Sequence, residues 1–162
     1  MKEITIHTDG ACRGNPGPGG YGAVLQYKGH MKEIYGGFRH TTNNRMEMLA
    51  VIESLKSLKY RCKVTLYTDS KYVCEAINKN WLSGWKNKGW KNSAKNDVKN
   101  VDLWKEMELV LKEHDVTLQW VKGHADNEMN NKADEIAVKA SKAPGDFQID
   151  SFYENETGLN FG

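Results

Sequence analysis

The sequence predicts an α/β fold with a five-stranded mixed sheet, helices on both faces and a basic protrusion. Two observations predict it. Residues 1–38 contain short apolar runs separated by turn formers, a pattern typical of an antiparallel meander of three strands. Beyond residue 44 helical periodicity alternates with two further buried strands. The 162 residues, of which 39% are hydrophobic, are enough for one packed core.

The predicted meander consists of the strands Ile4–His7, Tyr21–Tyr27 and Met31–Phe38. Residues 14–20 between the first two strands read Gly-Asn-Pro-Gly-Pro-Gly-Gly, which predicts a loop. Lys28-Gly29-His30 predicts a hairpin turn between the second and third strands.

The later elements are predicted from apolar spacing. Met48, Val51, Ile52 and Leu55 recur at helical spacing, which predicts a long helix from Asn44. The elements that follow are a strand through Val64–Thr68, a helix through Tyr72–Ile77, an irregular basic protrusion at about 80–99, a helix through Val101–Leu111, a strand through Val116–Val121 and a helix through Met129–Ala140.

Charge is unevenly distributed along the chain. The net charge is only +2, but the last twenty residues contain four acidic and no basic residues, which leaves about six positive charges on residues 1–142. Within 79–99, six lysines accompany Asp97 alone. Such a patch favours a polyanionic partner, although a lysine-rich stretch is also an ordinary solvated surface. We expect one domain over residues 1–142 and a loosely held acidic tail over 143–162.

Several classes of protein are disfavoured by composition. The sequence has no apolar run long enough to span a membrane and no signal-peptide pattern at its start, so we expect a cytoplasmic protein with no membrane partner. Cys12, Cys62 and Cys74 are odd in number and widely spaced. They fit neither a disulfide framework nor a Cys-x-x-Cys metal site, so we expect reduced thiols.

Four acidic residues form the sharpest chemical signal. Asp9 lies near the end of the first strand, Asp69 at the end of the fourth, Glu47 early in the long helix and Asp134 on the last helix. If the first and fourth strands are neighbours, Asp9 and Asp69 emerge at the same edge of the sheet, where α/β proteins place ligand sites. Taken singly, each acid is equally well explained as a turn former or a surface charge.

Together these carboxylates, without a cysteine or histidine cluster, suit Mg²⁺ or Mn²⁺ rather than Zn²⁺. Four neighbouring negative charges repel one another unless cations neutralise them, and two ions about 4 Å apart can promote phosphoryl transfer. His124, in the predicted loop before the last helix, is a candidate proton carrier or an ordinary exposed histidine. The other histidines are interpreted as structural or surface residues.

Four strings, in order and at the right spacing, resemble bacterial type I ribonuclease H over residues 1–142. They are Ile6-His7-Thr8-Asp9-Gly10-Ala11-Cys12 with residues 14–23, Thr41-Thr42-Asn43-Asn44-Arg45-Met46-Glu47, Thr68-Asp69-Ser70-Lys71-Tyr72-Val73, and Val121-Lys122-Gly123-His124 with Asn130 and Asp134. The resemblance implies a ribonuclease H-like fold with its catalytic domain at 1–142. It also implies endonucleolytic hydrolysis of the RNA strand of RNA–DNA hybrids, which leaves 3′-hydroxyl and 5′-phosphate ends.

The resemblance also implies roles for individual residues. Asp9, Glu47, Asp69 and Asp134 match the carboxylates that hold two Mg²⁺ ions, for which Mn²⁺ may substitute, with Asp9 bridging both. His124 matches a loop histidine that handles protons and assists product release. The protein is expected to be a monomer whose partner is the hybrid duplex.

Substrate contacts are implied at twelve positions, one of which is Lys71. Asn15, Asn43 and Asn44 match residues that contact the minor groove and RNA 2′-hydroxyls, although Asn43 and Asn44 are also helix-cap residues. Thr42 and Asn100 match a phosphate pocket for the DNA strand. The basic protrusion, which we call the handle, contributes Trp81, Trp85, Lys86, Lys88, Trp90 and Lys91. Its tryptophans are equally expected to stack into a small satellite core.

Three positions depart from the family pattern. Lys71 stands where a substrate-contacting Gln is usual, His40 where Arg is frequent, and Asn131 where an acid is common. Two other functions stay open at this point: a noncatalytic module that binds hybrids or double-stranded RNA, and a DNA nuclease of the same fold. The intact acid set disfavours the first of these, and the handle with the paired asparagines disfavours the second.

Overall fold

A computed structural model describes residues 1–122 and 127–158. The strands are β1 (Lys2–Cys12), β2 (Gly17–Tyr27), β3 (His30–Thr41), β4 (Cys62–Thr68) and β5 (Asp115–Trp120). The helices are α1 (Asn43–Lys56), α2 (Lys71–Asn78), α3 (Trp81–Asn87), α4 (Val101–Glu113), α5 (Glu128–Ser141) and α6 (Ser151–Glu156), with a 3₁₀ turn at Pro144–Asp146 before α6.

The strands form one mixed sheet in the order β3-β2-β1-β4-β5. The β1-β2-β3 meander is antiparallel, whereas β4 pairs in parallel with both β1 and β5. The predicted fold class is therefore confirmed. The β2–β3 hairpin turns at Lys28 and Gly29, both with positive φ, as in the tight turns that match strand twist.

The strands of the meander are longer than predicted. β2 already begins at Gly17, within the stretch that the sequence assigns to a loop, and β1 continues to Cys12, which pairs with Gly19. Glycine and proline are weak strand formers, so local propensity ends these strands early. Pairing with a central strand overrides that propensity here.

Two glycines bring helices against the two faces of the sheet. A Cβ at Gly10 would lie 2.5 Å from the backbone nitrogen of Glu47 on α1. A Cβ at Gly22 would lie 2.7 Å from the carbonyl oxygen of Ala133 on α5. Both distances are too short for any side chain, so glycine is required for α1 and α5 to pack this closely.

The handle differs from the irregular segment predicted at 80–99, because residues 81–87 form α3. The indole of Trp85 packs with that of Trp104 on α4, at 5.6 Å between ring centroids, and with that of Trp81 at 6.1 Å. Trp104 is fully buried in the main core. The tryptophans therefore extend the main core instead of forming a separate satellite.

The segment 143–158 also differs from the loosely held tail expected from its composition. The backbone of Gln148 exchanges hydrogen bonds with Gly37 and Arg39 at the edge of β3. Asp150 and Glu154 are buried, at 6% and 3% exposure, because each pairs with an arginine of the preceding domain. Long-range ion pairs of this kind leave no trace in local periodicity.

Over the described ranges, none of the helices is long and apolar enough to cross a membrane.

Candidate active site

The sheet places Asp9 and Asp69 next to each other. Pairing between β1 and β4 ends at His7 and Tyr67; Asp9 lies two residues beyond this point, and Asp69 directly follows the last residue of β4. The first and fourth strands are neighbours, which is the condition under which the sequence places Asp9 and Asp69 at one edge of the sheet. Asp9 is not at the end of its strand, however, because β1 continues along β2.

Two helices bring the other acids to this edge. Glu47 lies early in α1, whose N-cap residue Thr42 accepts a hydrogen bond from the Arg45 N–H at 3.2 Å. Asp134 lies on α5, directly after the residue that packs over Gly22. A cavity of about 190 Å³ results, and it is lined by Thr8, Asp9, Gly10, Asn43, Glu47, Asp69, Asn130, Asn131 and Asp134.

The acids are close together and poorly hydrated. Asp9, Glu47 and Asp69 each offer a carboxylate oxygen, and these oxygens all lie within 4.8 Å of one another. Asp9 and Glu47 are only 8% and 4% exposed. The Gly10 N–H donates to Asp9 Oδ1 at 2.9 Å, which is weak compensation for so much negative charge.

Burial and mutual repulsion hold protons on this cluster. Burial, together with the charge of Asp69 and a hydrogen bond to Asp134, raises the pKa of Asp9 to about 8. Burial and the charges of Asp9 and Asp69 raise the pKa of Glu47 well above its ordinary value. Carboxyl groups with raised pKa values are typical of sites where a proton takes the place of a cation.

The donor set fits a divalent metal. Glu47 Oε2 is buried without a hydrogen-bond partner, which is costly unless a positive ligand satisfies it. In the part of the chain that the structure describes, the cluster contains carboxylates alone, the ligands that Mg²⁺ and Mn²⁺ prefer.

Trp120 supports the site although the sequence indicates only a buried strand residue there. Its indole Nε1 donates to the backbone oxygen of Asp69 at 3.0 Å from the end of β5. The Lys71 ammonium lies 5.0 Å from the centroid of the same ring. An aromatic residue at a strand end is the only sequence signal of this role.

The predicted amide contacts lie beside the acids. Asn15 Oδ1 accepts the Asn43 N–H at 3.0 Å, which ties the loop before β2 to the start of α1. Asn43 lines the acid cavity, and Asn44, the next residue of α1, is exposed. The structure therefore brings Asn15 and Asn43 together next to the carboxylates.

The predicted phosphate-binding residues are connected through Arg45, which the sequence analysis did not single out. Asn100 is buried; its Nδ2 donates to the Tyr72 hydroxyl at 3.1 Å, and its Oδ1 accepts from Arg45 at 3.4 Å. Arg45 is 2% exposed and also binds Asp102 and Asp150. No local sequence pattern indicates that Arg45 has a partner 105 residues away along the chain.

The handle lysines differ in their surroundings. Lys86 pairs with Glu108 at 2.7 Å, and Lys91 pairs with Asp97. Lys88 has no ion-pair partner among the described residues. Trp81 is 36% exposed, whereas Trp90 is partly buried against the core. Among the predicted handle contacts, Lys88 is therefore the lysine without an ion pair in the described part of the chain, and Trp81 is the most exposed tryptophan.

The remaining predicted positions have separate outcomes. His124 lies outside the described residues. The His40 ring packs against Tyr153 of α6, at 5.6 Å between centroids. Asn131 is exposed at the rim of the acid cavity.

Comparison with known proteins was made by sequence and by structure. The sequence profile of the RNase H family matches residues 1–142. A protein of Desulforamulus reducens named Ribonuclease H is 54% identical over 144 residues, which cover 89% of this chain and 91% of that protein.

Solved structures share the fold. LC9-RNase H1, a type 1 RNase H, superimposes with a TM-score of 0.80 at 30% identity, over 91% of this chain and 75% of that one. LC11-RNase H1, crystallised with an RNA/DNA hybrid, gives a TM-score of 0.67 at 23% identity, over 87% of this chain and 98% of that one. The second likeness concerns the fold alone.

Proposed function

The chain belongs to the ribonuclease H family, and we propose that it hydrolyses the RNA strand of RNA–DNA hybrids with two divalent metal ions, leaving 3′-hydroxyl and 5′-phosphate ends. The observation that carries this proposal is the cavity in which Asp9, Glu47, Asp69 and Asp134 meet beside a surface of asparagines. The similarity to proteins named Ribonuclease H, such as the one of Desulforamulus reducens, supports the choice of substrate.

The four carboxylates would hold Mg²⁺, for which Mn²⁺ may substitute. Asp9 is flanked by Glu47 and Asp69 on one side of the cluster and contacts Asp134, which suits it to bridge two ions. Such ions supply an activated water and neutralise charge on the attacking and leaving oxygens. The protein itself contributes rigid placement, since three of the acids stand on regular elements and Trp120 holds the backbone of Asp69.

Selection of RNA is assigned to the amides. A side-chain amide can both donate to and accept from a 2′-hydroxyl, the group that distinguishes RNA from DNA. Asn15, Asn43 and Asn44 present such groups next to the acids. Lys71 is proposed to contact the substrate from the far side of Asp69, beside Trp120.

The DNA strand is assigned to Thr42, Asn100 and the handle. Thr42 and Asn100 are linked through Arg45, and Lys86, Lys88 and Lys91 with the exposed edge of Trp81 give the handle its phosphate and sugar contacts. Trp85 and Trp90 are proposed to support this surface. His124 is proposed as a proton carrier on the sequence pattern alone.

We propose that residues 1–142 are the catalytic domain and that residues 143–158 pack against it and stabilise it. A cytoplasmic location and a monomeric state stay predictions.

The proposal is tested with a gel assay. An RNA–DNA hybrid labelled at the RNA 5′ end is incubated with Mg²⁺ or with excess chelator, beside matched all-RNA and all-DNA duplexes. We expect cleavage of the hybrid RNA alone, abolished by chelator, with 5′-phosphate ends that accept ligation. Binding without cleavage would favour the noncatalytic module, and cleavage of the DNA duplex would favour a DNA nuclease.

A further inference from the structure

Asn130 projects into the acid cavity from α5, one helical turn before Asp134. Residues four apart lie on the same face of a helix, so the two side chains reach the cavity together. The Asn130 backbone N–H is satisfied by Asn127 Oδ1 at 3.1 Å, in the cap of α5. The position of Asn130 is therefore fixed by its backbone, independently of its carboxamide.

The Asn130 carboxamide oxygen accepts no hydrogen bond within the described part of the chain. Oδ1 is buried and lacks a hydrogen-bond partner, and the side chain makes no hydrogen bond to another described residue. Burial of an acceptor without a hydrogen bond is costly, so such groups are rare unless a ligand completes them. Glu47 Oε2, on the same cavity, is the second unpartnered oxygen.

The surroundings of this oxygen specify its partner. Its neighbours in the cavity include Asp9, Glu47, Asp69 and Asp134, whose carboxylates accept hydrogen bonds and bind cations when ionised. A hard divalent ion also accepts amide oxygens as ligands, and an amide adds a ligand without adding charge. This matters where four acids already repel one another.

We propose that the Asn130 side-chain oxygen is a fifth protein donor to the divalent-metal site, on its Asp134 side. The inference rests on the proposed two-metal function and names one more residue of the same site. It assigns Asn130 to metal binding, as distinct from the contacts to RNA proposed for the other asparagines.

The test measures metal binding without substrate. Mn²⁺ is titrated into the full-length protein, and binding is followed by calorimetry and by loss of the free Mn²⁺ electron paramagnetic resonance signal. We expect Asn130→Ala to weaken Mn²⁺ binding by about tenfold, as is usual when an oxygen that supports a metal site is removed. Asn130→Asp keeps the oxygen, so we expect binding at least as tight as in the wild type.

Asn155→Ala is the matched control, because it makes the same substitution at an exposed position of α6 that does not line the acid cavity. We expect wild-type Mn²⁺ affinity for it. Melting in chelator checks that all three variants fold. Wild-type affinity in Asn130→Ala, or an equal loss in Asn130→Ala and Asn130→Asp, would overturn the inference. Absence of Mn²⁺ binding to the wild type would instead contradict the proposed function itself.

Discussion

At the scale of single residues, Gly10 controls the distance between β1 and α1. We predict that Gly10→Ala lowers the free energy of unfolding by about 1–3 kcal/mol, because its Cβ would collide with the Glu47 backbone nitrogen and push α1 away. Glu47 would move with the helix, so cleavage should fall more than tenfold. Urea unfolding and a hybrid-cleavage assay measure the two effects. Gly145→Ala, where a Cβ meets nothing within 4 Å, should change neither.

The position of Asp9 in the acidic cluster lowers the free energy of unfolding of the protein. A carboxyl whose pKa is raised to about 8 on folding destabilises the folded state increasingly as pH rises from about 4 to about 8, since the unfolded chain gives up its proton first. We predict that Asp9→Asn unfolds with a free energy about 2 kcal/mol higher than the wild type at pH 8 in chelator. The same variant should lose nearly all cleavage. Unchanged stability would contradict the repulsion inferred here, and wild-type turnover would contradict the bridging role.

Metal affinity should depend on pH for the same reason. Cations compete with the protons held by Asp9 and Glu47, so apparent Mg²⁺ affinity should rise with pH up to about 8 and level off above it. Calorimetry in two buffers of different ionisation enthalpy would show proton release on binding at pH 7. A flat profile between pH 6 and 8 would contradict the protonated state of the free cluster.

At the scale of elements, the handle tests how the duplex is bound. Substitution of Lys86, Lys88 and Lys91 by Gln should weaken hybrid binding. The slope of log affinity against log salt concentration should become shallower by up to about 0.9 for each phosphate contact that is lost. Lys86 and Lys91 already have acidic partners, so Lys88 should contribute most. The control is the triple substitution of Lys2, Lys28 and Lys63 by Gln. It removes the same charge at the ends of the strands that lie away from the acids. Equal effects of both triple variants would mean that net charge alone matters.

The segment after α5 holds Arg45, which connects the proposed phosphate-binding residues Thr42 and Asn100. Asp150 Oδ2 accepts from Arg45 Nε at 2.7 Å and from the Thr41 hydroxyl at 2.7 Å. Asp150→Asn removes one of the two carboxylates that pair with the buried guanidinium of Arg45. We therefore predict that the free energy of unfolding falls by about 3 kcal/mol. Urea titration measures it, and Asp146→Asn, an exposed acid of the same segment, should be neutral. A loss below the error of the titration would show that Asp102 alone satisfies Arg45.

At the scale of the whole molecule, periodicity and short motifs predict most of the fold and the core of the site. The alternation of apolar residues locates the meander, and one rule of sheet topology brings Asp9 and Asp69 to the same edge of the sheet once β1 and β4 are neighbours, as they are. Helical spacing locates the helix that carries Glu47. These features are local or depend on one rule of sheet topology, so a single sequence contains them.

The features that sequence reasoning misses depend on distant contacts. Arg45 meets Asp150 across 105 residues, Trp120 holds the backbone of Asp69, and Trp85 packs on Trp104 of the main core. Each of these side chains has an ordinary local sequence: an arginine in a helix, an acid in a polar tail, or an aromatic residue in a strand or helix. Only the folded chain shows which partner it has.

The most direct test of the account compares cleavage by the wild type and Asp9→Asn across a Mg²⁺ titration. The substrate is an RNA–DNA hybrid, with a matched DNA duplex alongside. We predict that the wild type cuts the hybrid RNA at a rate that rises with Mg²⁺ concentration and falls to zero in chelator. The DNA duplex should stay intact. Asp9→Asn should remain folded and be inactive at every Mg²⁺ concentration. Cleavage by the wild type in chelator, or comparable cleavage by Asp9→Asn, would contradict metal-dependent catalysis at this cluster.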